Sequence, residues 1–441
     1  MMLPFNMHYL TPVIILISFM SFNSIAFAYP IDAYPETGIG RLEYARRVEA
    51  NIMPGTKLPP GALLSTEQVD LRLLDYKELE LPEIDADFTR QIVELMGDKS
   101  DRYSISVLDL SDMSRPRYAE HRGNKTANPG SVGKLMVVMA LFQLLADQFK
   151  TDIEARRELL HDTVITSDEF VLTDHHTVAF WDNHNERRTR HILHPGDRGT
   201  LWEFLDWMMS ASSNAAASTV IKQTMLMKQF GENYPVPEQQ SQQFFKETSR
   251  TELGKILAAA LYTPVTRNNL DINHLRQGSF FTATGQKRVP GARSYATSRE
   301  LIRFLLKLEQ GKIVDEFSSR EIKRLMYLTE RRIRYASSPA LNEAAVYFKS
   351  GSYYQCKPEP DFNCLKYHGN VKNLMNSVAI IESPAKERKI YYLVALMSNV
   401  LRFNSAVDHQ TLATRIHRLI ENYHKTKFNE AERMQTQQEK K

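Results

Sequence analysis

Pro129-Gly130-Ser131-Val132-Gly133-Lys134 runs directly into Leu135-Met136-Val137-Val138-Met139-Ala140-Leu141-Phe142-Gln143-Leu144-Leu145. In the second stretch only Gln143 is polar. A helix that is apolar nearly all round has no face to offer water, so it belongs in the centre of a domain. Pro129-Gly130 ends the preceding loop and Ser131 opens the helix. Ser131 and Lys134 stand three apart and therefore share a helix face. The amine can reach the hydroxyl and take its proton. Burial and neighbouring cations would keep that amine neutral. The helix N-terminus also turns backbone N–H groups toward developing negative charge. Taken alone, the pair also reads as a capping serine followed by a surface lysine. Ser-x-x-Lys recurs at Ser383-Pro384-Ala385-Lys386, in a predicted hairpin turn with no helix behind it. The apolar helix behind Lys134 is what sets the first copy apart.

Outward from this helix, the chain alternates as a strand over 103–110 and returns after a turn at 111–115, from Tyr118. A helix is predicted before it, over 85–96. Further helices are predicted over 201–209, 215–228, 251–262 and 298–310. Three antiparallel strands follow, over 344–348, 377–382 and 389–397, with a turn at Pro384-Ala385-Lys386. Leu412, Ile416, Leu419 and Ile420 give a closing helix over 408–424. The two early strands and the three late ones are expected to join one sheet. The fold class is α+β: a five-stranded antiparallel sheet flanked by helices, with a helical subdomain over about 135–300.

Residues 1–28 hold no Lys, Arg, Asp or Glu, and Val13 to Phe22 is nearly all apolar. Ala26-Phe27-Ala28 then resembles a signal-peptidase site, although no cation precedes the apolar run. A cleaved secretory signal is the reading, with an uncleaved anchor as the alternative. The expected location is exported and periplasmic, with membrane association only through an uncleaved signal. Residues 29–85 are punctuated by prolines, as at Pro59-Pro60-Gly61, and read as an extended arm holding one short helix near 40–51; its partner is unknown. The catalytic domain is set at 86–425. The charged, Gln-rich tail over 426–441 reads as disordered. The chain has 56 basic and 52 acidic residues in 441, a balance too even to indicate nucleic acid. In an exported chain the two cysteines, Cys356 and Cys364, favour a disulfide over two free thiols.

Two more short motifs matter. Ser212-Ser213-Asn214 lies between two predicted helices. The Ser212 hydroxyl can relay a proton to a leaving amine, and Asn214 can donate to a substrate amide or meet Lys134. Either would otherwise serve as a helix cap. Lys349-Ser350-Gly351 ends a predicted strand. Lys349 can hold a carboxylate, Gly351 leaves room along the strand, and Ser352 supplies a backbone N–H. Alone, it reads as a solvated edge lysine before a turn glycine.

In order and context the three motifs together resemble the penicillin-recognising serine enzymes: class A β-lactamases, penicillin-binding proteins and D-alanyl-D-alanine carboxypeptidases. The resemblance covers roughly 85–425. It extends to 194–221 and to Ala292-Arg293-Ser294-Tyr295-Ala296-Thr297-Ser298. It implies Ser131 as nucleophile, Lys134 as its activator, Ser212 as proton shuttle and Asn214 as substrate-orienting group. It further implies Lys349 and Ser350 on the substrate carboxylate, beside Gly351, and the N–H groups of Ser131 and Ser352 as the oxyanion hole. The expected ligands are β-lactams or peptidoglycan peptides, and no cofactor is expected.

The resemblance fails at one place. Class A enzymes carry a glutamate ahead of the 292–298 stretch that activates the deacylating water. Counting back from Thr297 lands near Phe281, and residues 272–299 hold no Asp or Glu. This favours a peptidase or transpeptidase trapped by β-lactams over an efficient β-lactamase; a non-catalytic wall-binding protein is a third reading. His175, His176, His184, His191 and His194 crowd one segment, with Asp174 and Asp182. No pair has the spacing of a known metal motif, so the segment 174–194 reads as a polar surface insertion with no metal. Trp202 and Trp207 read as core; Trp181 is left open.

Overall fold

The computed structural model describes residues 32–327, 330 and 332–438. The expected signal peptide lies outside the described residues. Five strands form the central sheet: β1 (Tyr103–Asp109), β2 (Arg117–His121), β3 (Ala345–Gln355), β4 (Lys372–Ser383) and β5 (Ile390–Asn399). Their spatial order is β2-β1-β5-β4-β3, and every neighbouring pair is antiparallel. The early pair and the late triplet thus form one α+β sheet. The late strands are longer than sequence alternation suggested. β3 continues from Phe348 through Lys349-Ser350-Gly351-Ser352 and ends at Gln355. A further helix not foreseen, Glu316–Tyr327, precedes β3.

Side chains alternate across the sheet as strand geometry requires. Leu393, Ala395 and Met397 of β5 face the larger core, with Val378 and Ile380 of β4. Tyr392, Val394 and Leu396 face the other side, with Ile105 and Val107 of β1. That second face is covered by the helices Ala86–Glu94, through Phe88 and Ile92, and Ser405–Gln438, through Leu412 and Ile416. The closing helix runs on to Gln438, through the tail expected to be disordered. Alanine, glutamate, lysine, glutamine and methionine in that tail are strong helix formers, which local composition had concealed behind their charge.

On the first face lies the helix Lys134–Phe149, with residues 134–143 all buried. Residues 130–149 are apolar enough to cross a membrane by length and composition, yet 72% of that window is inside the domain. Leu201–Met209, Asn214–Phe230 and Arg250–Arg267 surround it. Trp202 and Trp207 are buried among them.

Residues 32–85 are not an extended arm. They wrap the domain. Leu42, Leu64, Val69 and Leu73 enter the main core. Gly61 lies so close to β3 that a Cβ on it would sit 2.1 Å from the Ala344 carbonyl oxygen. Arg41 forms a two-pronged pair with Asp206 at 2.6 Å for each bond, and Asp206 is wholly buried in Leu201–Met209. Arg72 meets Glu382 of β4 at 3.1 Å. Lys323, with no exposed surface, lies 2.6 Å from Glu309 and 2.8 Å from Glu382, both equally buried. Charges so far from water persist only when paired, and these pairs tie the wrapping segment to two helices and the sheet.

Removing the cation of this cluster leaves two buried carboxylates facing one arginine. K323M is therefore expected to lower stability by about 3–5 kcal/mol, read from the urea midpoint. A loss below about 1 kcal/mol would contradict the pairing.

Candidate active site

Gly130 has a left-handed backbone (φ 52°) and starts the tight turn Gly130–Gly133, which presents Ser131. Lys134 is the first residue of the core helix. The turn abuts β3 backbone to backbone. A Cβ on Gly351 would lie 2.5 Å from both the Pro129 carbonyl oxygen and the Ser131 nitrogen, so only glycine fits. β4 backs this seam, where Asn376, opposite Gly351, donates to the Asn128 carbonyl at 2.9 Å.

Lys134 has no exposed surface. Its Nζ donates to Ser131 Oγ at 3.0 Å, to the Ser212 carbonyl at 2.6 Å and to Asn214 Oδ1 at 2.8 Å. Ser212 Oγ stands between two amines: Lys349 Nζ at 2.8 Å and Lys134 Nζ at 3.5 Å. Lys349 also donates to the Ser350 carbonyl at 3.2 Å. The three short motifs, spread over more than 200 positions of sequence, thus meet at one point. Ser212 holds a left-handed backbone (φ 60°) unusual for serine, a strain of the kind that collects at functional sites. Its neighbour Ser213 serves as the helix cap, accepting from the Ala216 N–H at 3.0 Å. Capping by Ser213 leaves Ser212 and Asn214 turned to the lysines.

Burial brings the Lys134 amine down to about 7, with the Arg334 cation pushing the same way and Asp174 opposing. Lys349 falls well below the usual lysine range, again through burial and then through the cations of Lys134 and Arg334. Asp174 is itself buried. Burial would raise its pKa, but the hydrogen bond and charge of His176 and the bonds from Ala215 and Ser213 hold it well below the ordinary carboxylate range. It accepts from Ser213 Oγ at 2.8 Å and the Ala215 N–H at 2.9 Å, and so braces the Ser212–Asn214 turn.

Ser350 and Ser352 offer their hydroxyls to Arg334, at 2.7 and 2.9 Å. Arg334 precedes β3 in a left-handed conformation (φ 55°) and also donates to Tyr367 at 3.1 Å. No sequence signal marked it; the chain there has no pattern, and only the fold brings it to the β3 edge. Phe281, where counting placed the missing glutamate, lays its ring 4.8 Å from the Lys134 ammonium. The second Ser-x-x-Lys falls in the turn after β4, at the far end of that strand from Asn376. Cys356 and Cys364 are bonded to each other and close the loop after β3. Trp181 lies against Tyr44 and Arg47 of the wrapping segment. Among the described residues, two groups have ligand atoms spaced for a metal: Asp174, His175 and His176, and His191, His194 and Asp197.

A buried amine of lowered basicity beside a hydroxyl, a second amine across a bridging serine, and a cationic strand edge suit attack on an acyl carbon that carries a neighbouring carboxylate. No curated protein matches the chain. Among solved structures, a variant of PBP-A in its acyl-enzyme complex with penicillin G is 13% identical, covering 78% of this chain and 100% of the other, with a TM-score of 0.48. A β-lactamase from Sphaerobacter thermophilus DSM 20745 is 14% identical over 76% of this chain and 96% of its own (TM-score 0.47). The TLA-3 extended-spectrum β-lactamase is 12% identical over 76% and 98% (TM-score 0.48). The model of the beta-lactamase enzyme family matches residues 87–423. The chain therefore belongs to the beta-lactamase enzyme family, as a serine hydrolase.

Proposed function

We propose that the protein is exported and acts by forming an acyl ester on Ser131 with β-lactams or D-alanyl-D-alanine peptides. The observation that carries this reading is the 3.0 Å approach of the buried Lys134 amine to Ser131 Oγ. A neutral Lys134 takes the hydroxyl proton, and Oγ attacks the acyl carbon. The oxyanion then lies at the seam where the N–H groups of Ser131 and Ser352 stand close across Gly130 and Gly351, near the helix start. The amide C–N bond breaks as the leaving nitrogen takes a proton from Ser212 Oγ, which regains from Lys134 the proton that came from Ser131, with Lys349 on its other side. Lys349, Arg334 and the hydroxyls of Ser350 and Ser352 receive the substrate carboxylate. The charge-poor apolar stretch in residues 1–28 supports export.

A fluorescent penicillin is expected to label the wild type and to leave S131A unlabelled; K134A should acylate about 10²–10⁴-fold more slowly. Equal labelling of wild type and S131A would remove the reading. Because acylation needs the neutral amine, its rate should rise with pH through about 7, gaining roughly tenfold between pH 6 and pH 8. A rate flat across that window would show that Lys134 is not the base.

With Phe281 against the Lys134 ammonium, water attack on the ester lacks the glutamate base that class A enzymes carry at that place. Nitrocefin should give a burst of about one equivalent per site, then slow release. F281E is expected to raise the steady-state rate that follows the burst; rapid multiple turnover by the wild type would instead make it a true β-lactamase.

A further inference from the structure

The histidine-rich segment folds as a hairpin, Thr177–Asp182 against Arg187–Ile192, followed by a loop that leads into the short strand Arg198–Thr200. His191 is the last residue but one of the hairpin; His194 and Asp197 lie in the loop. Two imidazole nitrogens converge there on one carboxylate oxygen. His191 Nε2 is 3.4 Å from Asp197 Oδ2, and His194 Nδ1 is 3.8 Å from the same atom. Both separations exceed an N–H···O hydrogen bond. They are close to the edge of a tetrahedron around zinc, which nitrogen and oxygen bond lengths set at about 3.3–3.5 Å. All three ligand atoms lie within 4.8 Å of one another.

The surroundings hold the ligands in place. The His191 ring lies flat on Phe180, with centroids 4.3 Å apart and planes 3° apart, and Phe180 packs on the buried Trp207 at 4.8 Å. Trp207 Nε1 donates to the Ala179 carbonyl of the hairpin at 3.1 Å. Asp197 Oδ2 accepts the His194 backbone N–H at 2.7 Å, which fixes the carboxylate between the rings. Of the cations of the hairpin, Arg188 and Arg190 both turn onto Glu330. The three side chains keep part of their surface in water, 38%, 58% and 23%, so a water can fill the fourth position.

We propose that His191, His194 and Asp197 bind one divalent transition metal, zinc by preference of the two-nitrogen, one-oxygen ligand set. The metal clips the hairpin to the loop that leads through Leu201–Met209 to Ser212. Asp174, just ahead of the same hairpin, braces Ser213 and Ala215, so the clip steadies one wall of the active site. Its role is structural, and it stands independently of the acyl-enzyme reading.

The test uses the full chain, stripped with a chelator. Zinc titrated in a calorimeter should bind at one per chain and raise the melting temperature by a few degrees. Cobalt should give the strong visible bands of a tetrahedral site. H191A/H194A, and separately D197N, should lose at least tenfold in affinity and lose the cobalt bands. Their metal-free melting temperature and their labelling by fluorescent penicillin should stay near wild type. Should the double variant fail to fold, D197N decides. Zinc binding unchanged in D197N overturns the proposal, as do cobalt bands that survive in H191A/H194A and vanish in H175A/H176A.

Discussion

A lysine ammonium placed at the mouth of a core helix has to find oxygen or lose its proton. Lys134 does some of each. Three oxygens from two segments take its hydrogen bonds, and burial lowers its basicity to about 7. Every other feature of the site follows from providing those oxygens at that depth. The Ser212 backbone must turn left-handed to offer its carbonyl. Ser213 must cap the next helix so that Asn214 can face inward. Gly351 must lack a side chain so that the Ser131 turn can rest on β3. The geometry of the site is thus a consequence of satisfying one buried cation.

The same economy governs the scaffold. Lys323 lies between Glu309 and Glu382 in the interior, and Arg72 reaches in from the wrapping segment. Such clusters contribute little net stability relative to apolar packing but cannot be broken singly without cost. Here they specify where residues 32–85 attach. With Arg41 on Asp206, they place that segment against the helix that precedes Ser212.

Much of this was legible in the sequence, for physical reasons that differ by region. The core helix announced itself because burial on all sides demands apolar residues on all sides. The motif residues were readable because the chemistry restricts them to a few types at fixed offsets. β3 was read short for the same reason: Lys349-Ser350-Gly351 breaks the strand alternation where the site needs polar groups. In sequence the wrapping segment reads as an extended arm because its buried residues, such as Leu42, Leu64 and Leu73, are too widely spaced to show a period. Arg334 was invisible, since a left-handed arginine before a strand has no signature. The closing helix runs past its apolar spacing: the charged, Gln-rich stretch after His424 carries no apolar period.

Peptide mapping of the intact protein after brief exposure to penicillin tests the central claim most directly. A single adduct, one penicillin in mass, on the peptide containing Ser131 is the expected result, and it should form faster at pH 8 than at pH 6. An adduct on Ser212 or elsewhere, or none at any pH while the protein remains folded, would contradict the account.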